Sequence, residues 1–126
     1  NGDCIQISLD STNDKTAKYS SGDLEMGIAL GEQGEMGYCW YGSSIGIISD
    51  NISKIVRDDV LRRTRYLVKL PKKHLASMKL MRGYQFGMNY CLNDADLISR
   101  ERFGELSSGT ANTKNPALYY TWILTD

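Results

Sequence analysis

Proline, histidine and net charge are all scarce in this chain of 126 residues, and each shortage removes a class of function. It has two prolines, one histidine and no Cys-x-x-Cys spacing. The lone His74 stands in a lysine-rich stretch with no serine or cysteine in a nucleophile context, so it gives no hydrolytic triad. Three wide-spaced cysteines, Cys4, Cys39 and Cys91, with one histidine do not make a zinc site, and they allow at most one disulfide. Fifteen Lys plus Arg against fifteen Asp plus Glu leave no net field to gather a polyanion, which argues against nucleic acid as partner. No apolar run approaches the roughly 18 residues of a membrane span, and no charged-then-apolar leader precedes Asn1, so the chain as given reads as soluble with no membrane partner. The acids make no convincing catalytic pair. Asp58 and Asp59 are adjacent in a strand reading and point to opposite faces, and nothing in the sequence aims Asp94 at Asp96 or Glu101 at Glu105 across a cleft. No catalytic residue is assigned, and the chain reads as a non-enzyme.

What is abundant is glycine (12) and tyrosine (8), a composition that suits short strands joined by glycine turns. At this length residues 1–126 form one domain, able to bury about two-thirds of its unfolded surface. Period-two alternation recurs along it. Ile5, Ile7 and Leu9 face one way, then Ser11 to Ser21 reads as a long mobile loop. Leu24, Met26, Ile28 and Leu30 alternate up to a turn at Gly31–Gly34. Met36 to Tyr41 make a third strand, with Tyr38 and Trp40 on one face and Cys39 and Tyr41 on the other, and Ile45 to Ile48 a short fourth. Residues 52–65 admit helical spacing, but their β-branched content favours strand. Thr64, Tyr66, Val68 and Leu70 alternate up to Pro71, and Lys72 to Met81 fits a short helical turn seated by Leu75 and Met78.

The most informative segment runs from Tyr84 to Asp96. Tyr84, Phe86, Met88, Tyr90 and Leu92 share one face and Gln85, Gly87, Asn89 and Cys91 the other, the signature of an antiparallel sheet packed on a single side with its second face wet. Asn93, Asp94 and Asp96 are expected to end the strand, because their side chains bond nearby backbone.

That strand followed by Asn-Asp-x-Asp resembles the late core motif of carbohydrate-binding module family 9. Three further pieces are similar in the same order: Gly2 to Asp10, Tyr66 to Pro71 with Leu75, and the closing strand Tyr119 to Leu124. The resemblance implies an all-β fold, a jelly-roll-like antiparallel β-sandwich. Because the chain opens inside the Gly-Asp motif, it also implies N-terminal strands removed or supplied elsewhere, with an open sheet edge available for self-association. It further implies that Cys4 and Cys91 lie on outward or inter-strand positions, where thiols are the common outcome.

Sugars are gripped by aromatic rings flanked by groups that share hydroxyl hydrogen bonds. Trp40, Tyr41, Tyr119, Tyr120 and Trp122 qualify by type, and each could equally fill a sandwich core. Aligned with the family, the loop tryptophan falls near Thr113, the acid at Gln6, the arginine near Gly27 and the strand amide at Cys91, so only Gln6 keeps hydrogen-bonding capacity of the expected kind. Arg100, Arg102 and Asn112 lie in the same loops and could build a different polar site. The candidate binding set is therefore Gln6, Trp40, Tyr41, Arg100, Arg102, Asn112 and Trp122. Asn93, Asp94 and Asp96 offer hard oxygen ligands within four residues, either a calcium loop or a plain Asx-rich turn; Asp10, Asn13 and Asp14 are similarly ambiguous. The resemblance implies a secreted, non-catalytic accessory module of a larger glycan-active protein, its partner a glycan or a neighbouring domain. The competing expectation is a structural or protein-interaction sandwich that has lost sugar binding.

Overall fold

The structure, a computed structural model, describes residues 3–50, 52–75, 77–95 and 101–126. It is an antiparallel β-sandwich with unequal layers. The large layer contains β1 (Cys4–Asp10), β2 (Asp23–Gly31), β3 (Gly34–Tyr41) and β4 (Gly46–Ile47) on one side of β1. On the other side of β1 lies β7 (Gln85–Asp94). The outer edge of β7 is shared by β8 (Arg102–Glu105), which pairs with Cys91–Asp94, and β9 (Tyr120–Ile123), which pairs with Gln85–Met88. The small layer is the hairpin of β5 (Ser53–Asp58) and β6 (Arg63–Val68). No helix among the described residues is long and apolar enough to cross a membrane.

The alternation read from the sequence sets the sandwich. Leu9, Leu24, Met26, Ile28 and Phe86 face the small layer and meet Ile52, Ile55, Leu75 and Met78 in one buried cluster, with Ile5, Ile7, Tyr66, Val68 and Leu70 packed against it. Each such side chain contributes about 1.5–3 kcal/mol when fully buried. The β2–β3 register ends at the pair Gly31 and Gly34, leaving Glu32 and Gln33 as a two-residue turn. Gly34 has φ 108°, a backbone conformation that a residue with a Cβ rarely adopts.

Four sequence expectations are corrected. The second face of the sheet is not wet, because Ser8, Asp10, Asp23, Glu25, Asn89 and Cys91 are all buried. Two loops cover it. One is the stretch expected to be mobile: Asp10 accepts the backbone N–H groups of Asp14 and Lys15, Ser11 N–H bonds Gly22, and Lys15 Nζ donates to the Tyr119 carbonyl of the other loop. The other loop, Leu106 to Tyr119, is held by Asn89, which accepts from Ser107 N–H at 2.9 Å and donates to the Ser107 carbonyl at 2.7 Å and Thr110 Oγ1 at 2.8 Å. Polar side chains on an alternating strand are as well suited to pinning loops as to meeting water. β7 does not stop before Asn93 and Asp94 but runs through them, since β8 supplies ladder partners there. The helical turn after Pro71 is shorter than expected, a 3-10 turn over Lys72–His74, and Leu75 and Met78 are buried without a helix to seat them.

The polar layer makes stability testable. Asn89→Ala removes these three bonds to the second loop and leaves the half-buried Ser107 N–H and carbonyl unpartnered, while Thr110 keeps its bonds to Ser8 and Glu105, so it should cost about 2–4 kcal/mol by urea unfolding. Asp23 carries a pH dependence. Burial, with Asp10 and Asp14 adding repulsion, pushes its carboxyl up to about 6 against the pull of the Ser20 N–H bond. Between about pH 4 and 6 the folded chain then holds a proton that the unfolded chain has released, so this group removes stability as pH rises through that window. Asp23→Asn should keep the Ser20 bond and abolish this loss, gaining up to about 2 kcal/mol over wild type at pH 7 and little at pH 3.5. An equal difference at both values would assign the effect to something other than the proton.

Candidate functional site

Along β2, the positions on the polar face beyond Glu25 are Gly27, Ala29 and Gly31, so the sheet surface is hollowed along one strand. β3 raises one wall of this trough with Met36, Tyr38 and Trp40. A β-bulge shapes it: Met26 pairs with Cys39 but Glu25 pairs with Tyr41, leaving Trp40 as the extra residue. The bulge corrects the expected alternation, because Tyr41 stands opposite Glu25 on the polar face with Tyr38 and Trp40, while Cys39 is buried in the core.

Trp40 lies down across Gly27. A Cβ built on Gly27 would come 2.3 Å from Trp40 Cη2, so only glycine lets the indole rest there. The ring stays 44% exposed and Tyr38 42%, with centroids 5.7 Å apart and planes tilted by 51°. Around these rings opens a cleft of about 480 Å³ that also reaches Cys4, Ile47 and Ile48. That volume lies within the range of roughly 300–1,000 Å³ common to small-molecule sites.

A chain of polar groups borders the ring. Gln6 is the cross-strand neighbour of Gly27. Its Oε1 accepts from Asn93 Nδ2 at 3.3 Å and its Nε2 donates to Glu25 Oε1. Glu25 is 3% exposed and receives two more donors, Lys114 Nζ on Oε1 and the Tyr19 hydroxyl on Oε2 at 2.8 Å. Burial, together with the Tyr119 hydroxyl, pushes the Tyr19 phenol well above its ordinary range, so it remains a donor at any physiological pH. The Tyr19 and Tyr41 rings pack 4.7 Å apart. Lys114 reaches Glu25 from a backbone with φ 49°, a conformation costly for a lysine and held by the loop around it. Amide, carboxylate, ammonium and an open indole thus adjoin one another, a set suited to binding a polyhydroxylated ring.

The expected residues divide accordingly. Gln6 and Trp40 meet at Gly27 in the trough, Tyr41 lies past its end opposite Glu25 and against Tyr19, and Asn112 lies in the loop that crosses this face, between Ala111, whose N–H bonds Glu105, and Lys114. Trp122 pairs with Phe86 and so faces the opposite side of the sheet, its Nε1 donating to the Met88 carbonyl at 3.3 Å. Arg102 reaches Asp94 at 3.4 Å beside a separate cleft of about 410 Å³. Arg100 and Asp96 lie outside the described residues. As adjacent residues of β7, Asn93 and Asp94 point to opposite faces, and among the described residues no three His, Cys, Asp or Glu side chains gather as a metal set. Asp10 spends its carboxylate on loop backbone rather than joining Asn13 and Asp14. His74 sits 3.0 Å from Asp50 in another, smaller pocket. Glu25, Lys114, Tyr19 and Tyr38 were not anticipated as site residues. A charged residue between Leu24 and Met26, and the small residues at 27, 29 and 31, were the available signals.

No protein-family model matches the sequence, and no curated protein matches it. Among solved structures, a carbohydrate-binding module of family 9 from Caldicellulosiruptor kristjanssonii, in complex with cellotriose, superposes with a TM-score of 0.65 at 19% identity. The match covers 98% of this chain and 57% of that one, so this chain spans little more than half of the module it matches. At that identity the likeness carries the fold, and the fold is that of a family 9 carbohydrate-binding module.

Proposed function

We propose that this chain is a non-catalytic carbohydrate-binding module, acting as an accessory domain of a larger secreted, glycan-active protein, and that the trough on its polar face holds the sugar. The observation that carries this reading is Trp40, spread over Gly27 with its ring open to solvent and bordered by the Asn93–Gln6–Glu25–Lys114 chain. The indole stacks on the apolar face of a pyranose, while the amides and the lysine ammonium share its hydroxyls. The cellotriose bound by the structural neighbour makes β-linked glucose the first class to try.

Titration of tryptophan fluorescence with glucose, cellobiose and cellotriose tests it. Saturable quenching is expected, and Trp40→Ala should abolish it, whereas Trp122→Phe should leave affinity unchanged because that ring faces the other side of the sheet. Gly27→Ala touches no hydrogen-bonding group, yet its methyl evicts the indole, so affinity should fall about tenfold or more with little loss of stability. An unaltered titration in both Trp40→Ala and Gly27→Ala would remove the trough from the site. If no saccharide in a broad panel binds and the chain self-associates on size-exclusion chromatography, it is an interaction module instead.

A further inference from the structure

The apolar wall does not end at Trp40. Tyr38 follows it on the same face, then Met36, and across the ladder from Tyr38 stands Ile47 on β4. Met36 is 58% exposed and Ile47 84% exposed. Gly31 allows Met36 to lie against the strand as Gly27 allows Trp40, with the Met36 sulfur 3.0 Å from where a Gly31 Cβ would be. The result is an open-ended strip along β3, continuous with the Trp40 trough and part of the same cleft of about 480 Å³. A single hexose over Trp40 leaves the rest of the strip uncovered.

From this we infer that the ligand is a run of consecutive β-linked sugars with equatorial hydroxyls, lying along β3 with one ring over Trp40, the next over Tyr38 and a third toward Met36 and Ile47. The inference rests on the trough being a sugar site and names what that site takes. Three features support it. The 5.7 Å between the Trp40 and Tyr38 centroids is close to the length of one sugar in a β-1,4-linked chain. Such sugars have apolar C–H faces on both sides, so successive rings can stack even though the chain alternates them. The 51° between the two ring planes fits a single chain that twists from one residue to the next, and it does not fit the flat face of a crystalline bundle. Gln6 and Glu25 lie beside Gly27 at the Trp40 end, where Gln6 would fix one sugar, while Asn93, in the row of Cys4, Ala29 and Met36, lies toward the other end, and Tyr38, Met36 and Ile47 add contact area without demanding a particular hydroxyl pattern.

Calorimetric titration of the whole chain with glucose, cellobiose, cellotriose and cellotetraose, repeated with Tyr38→Ala, is the test. Affinity should rise about tenfold between glucose and cellotriose and then level off. Tyr38→Ala should remove that gain by weakening cellotriose far more than glucose, a result a general loss of folding would not give. Equal affinity across the series, or a Tyr38→Ala variant that keeps the full gain, would overturn the extended site and leave the Trp40 sugar site standing. Binding to microcrystalline cellulose without binding to the soluble oligosaccharides would overturn it too. If none of these probes binds, the sugar reading itself fails and the extension falls with it.

Discussion

The polar half of this molecule is organised around the burial of the Glu25 carboxylate. Moving such a group out of water costs several kcal/mol unless donors replace the solvent, and three are supplied from separate parts of the chain. Gln6 comes from the neighbouring strand, Tyr19 from the loop after β1 and Lys114 from the loop before β9. Removing the carboxylate would take one tie from each covering loop at once, leaving those to Asp10 and Asn89, and removing the loops would strand the carboxylate. Tyr119, hydrogen-bonded to Tyr19 and covered by the same loops, closes the arrangement. The sandwich core needs none of this, since its apolar cluster lies on the opposite face. The sheet therefore has two interiors, one dry and apolar, the other dry and polar, and the trough opens beside the second.

This division explains why the fold was largely legible and the site only partly. Alternation of Ile5, Ile7 and Leu9, of Leu24, Met26 and Ile28, and of Phe86 and Met88 is local, so it reveals strands and their core face without knowledge of partners. Trp40 could be picked for the same reason, as a ring at a defined position of a readable strand, while Gln6 came from the family resemblance. Tyr41 was assigned to the wrong face because a bulge inserts Trp40, and a bulge is set by pairing with β2, which the β3 sequence alone does not contain. Lys114 was out of reach in principle: it meets Glu25 across 89 positions of sequence, from a loop whose composition matches any exposed loop. The burial of Asn89 was misread because a polar residue facing water and one holding a loop look identical until the loop's path is known.

Gly27 connects fold and site. Its missing side chain lets the indole of Trp40 lie on the backbone of β2, which sets the ring's height and leaves one side open. Any larger residue would lift the ring off the sheet, and a ring no longer supported from below loses conformational order along with its alignment to Tyr38. Gly31 supports Met36 in the same way. The small residues of β2 thus position the large ones of β3, so the platform is a property of two strands in register.

Register also shows which polar groups stand around the positions where the familiar residues are gone. The positions that the family resemblance aligns with its acid, arginine and amide are Gln6, Gly27 and Cys91, and they stand side by side across β2, β1 and β7. None carries the expected group, yet each group is present one step away. The acid is Glu25, the amide Asn93 and the cation Lys114, and a ring covers the place vacated at Gly27. Same-face neighbours on a strand are about 7 Å apart, so Glu25 and Asn93 each lie about one such step from the aligned positions, on opposite sides of the Gln6 row. A residue-by-residue alignment registers such a shift as loss, because it compares positions along a chain. A sheet presents its chemistry in two dimensions, and there the same acid, amide, cation and ring remain neighbours.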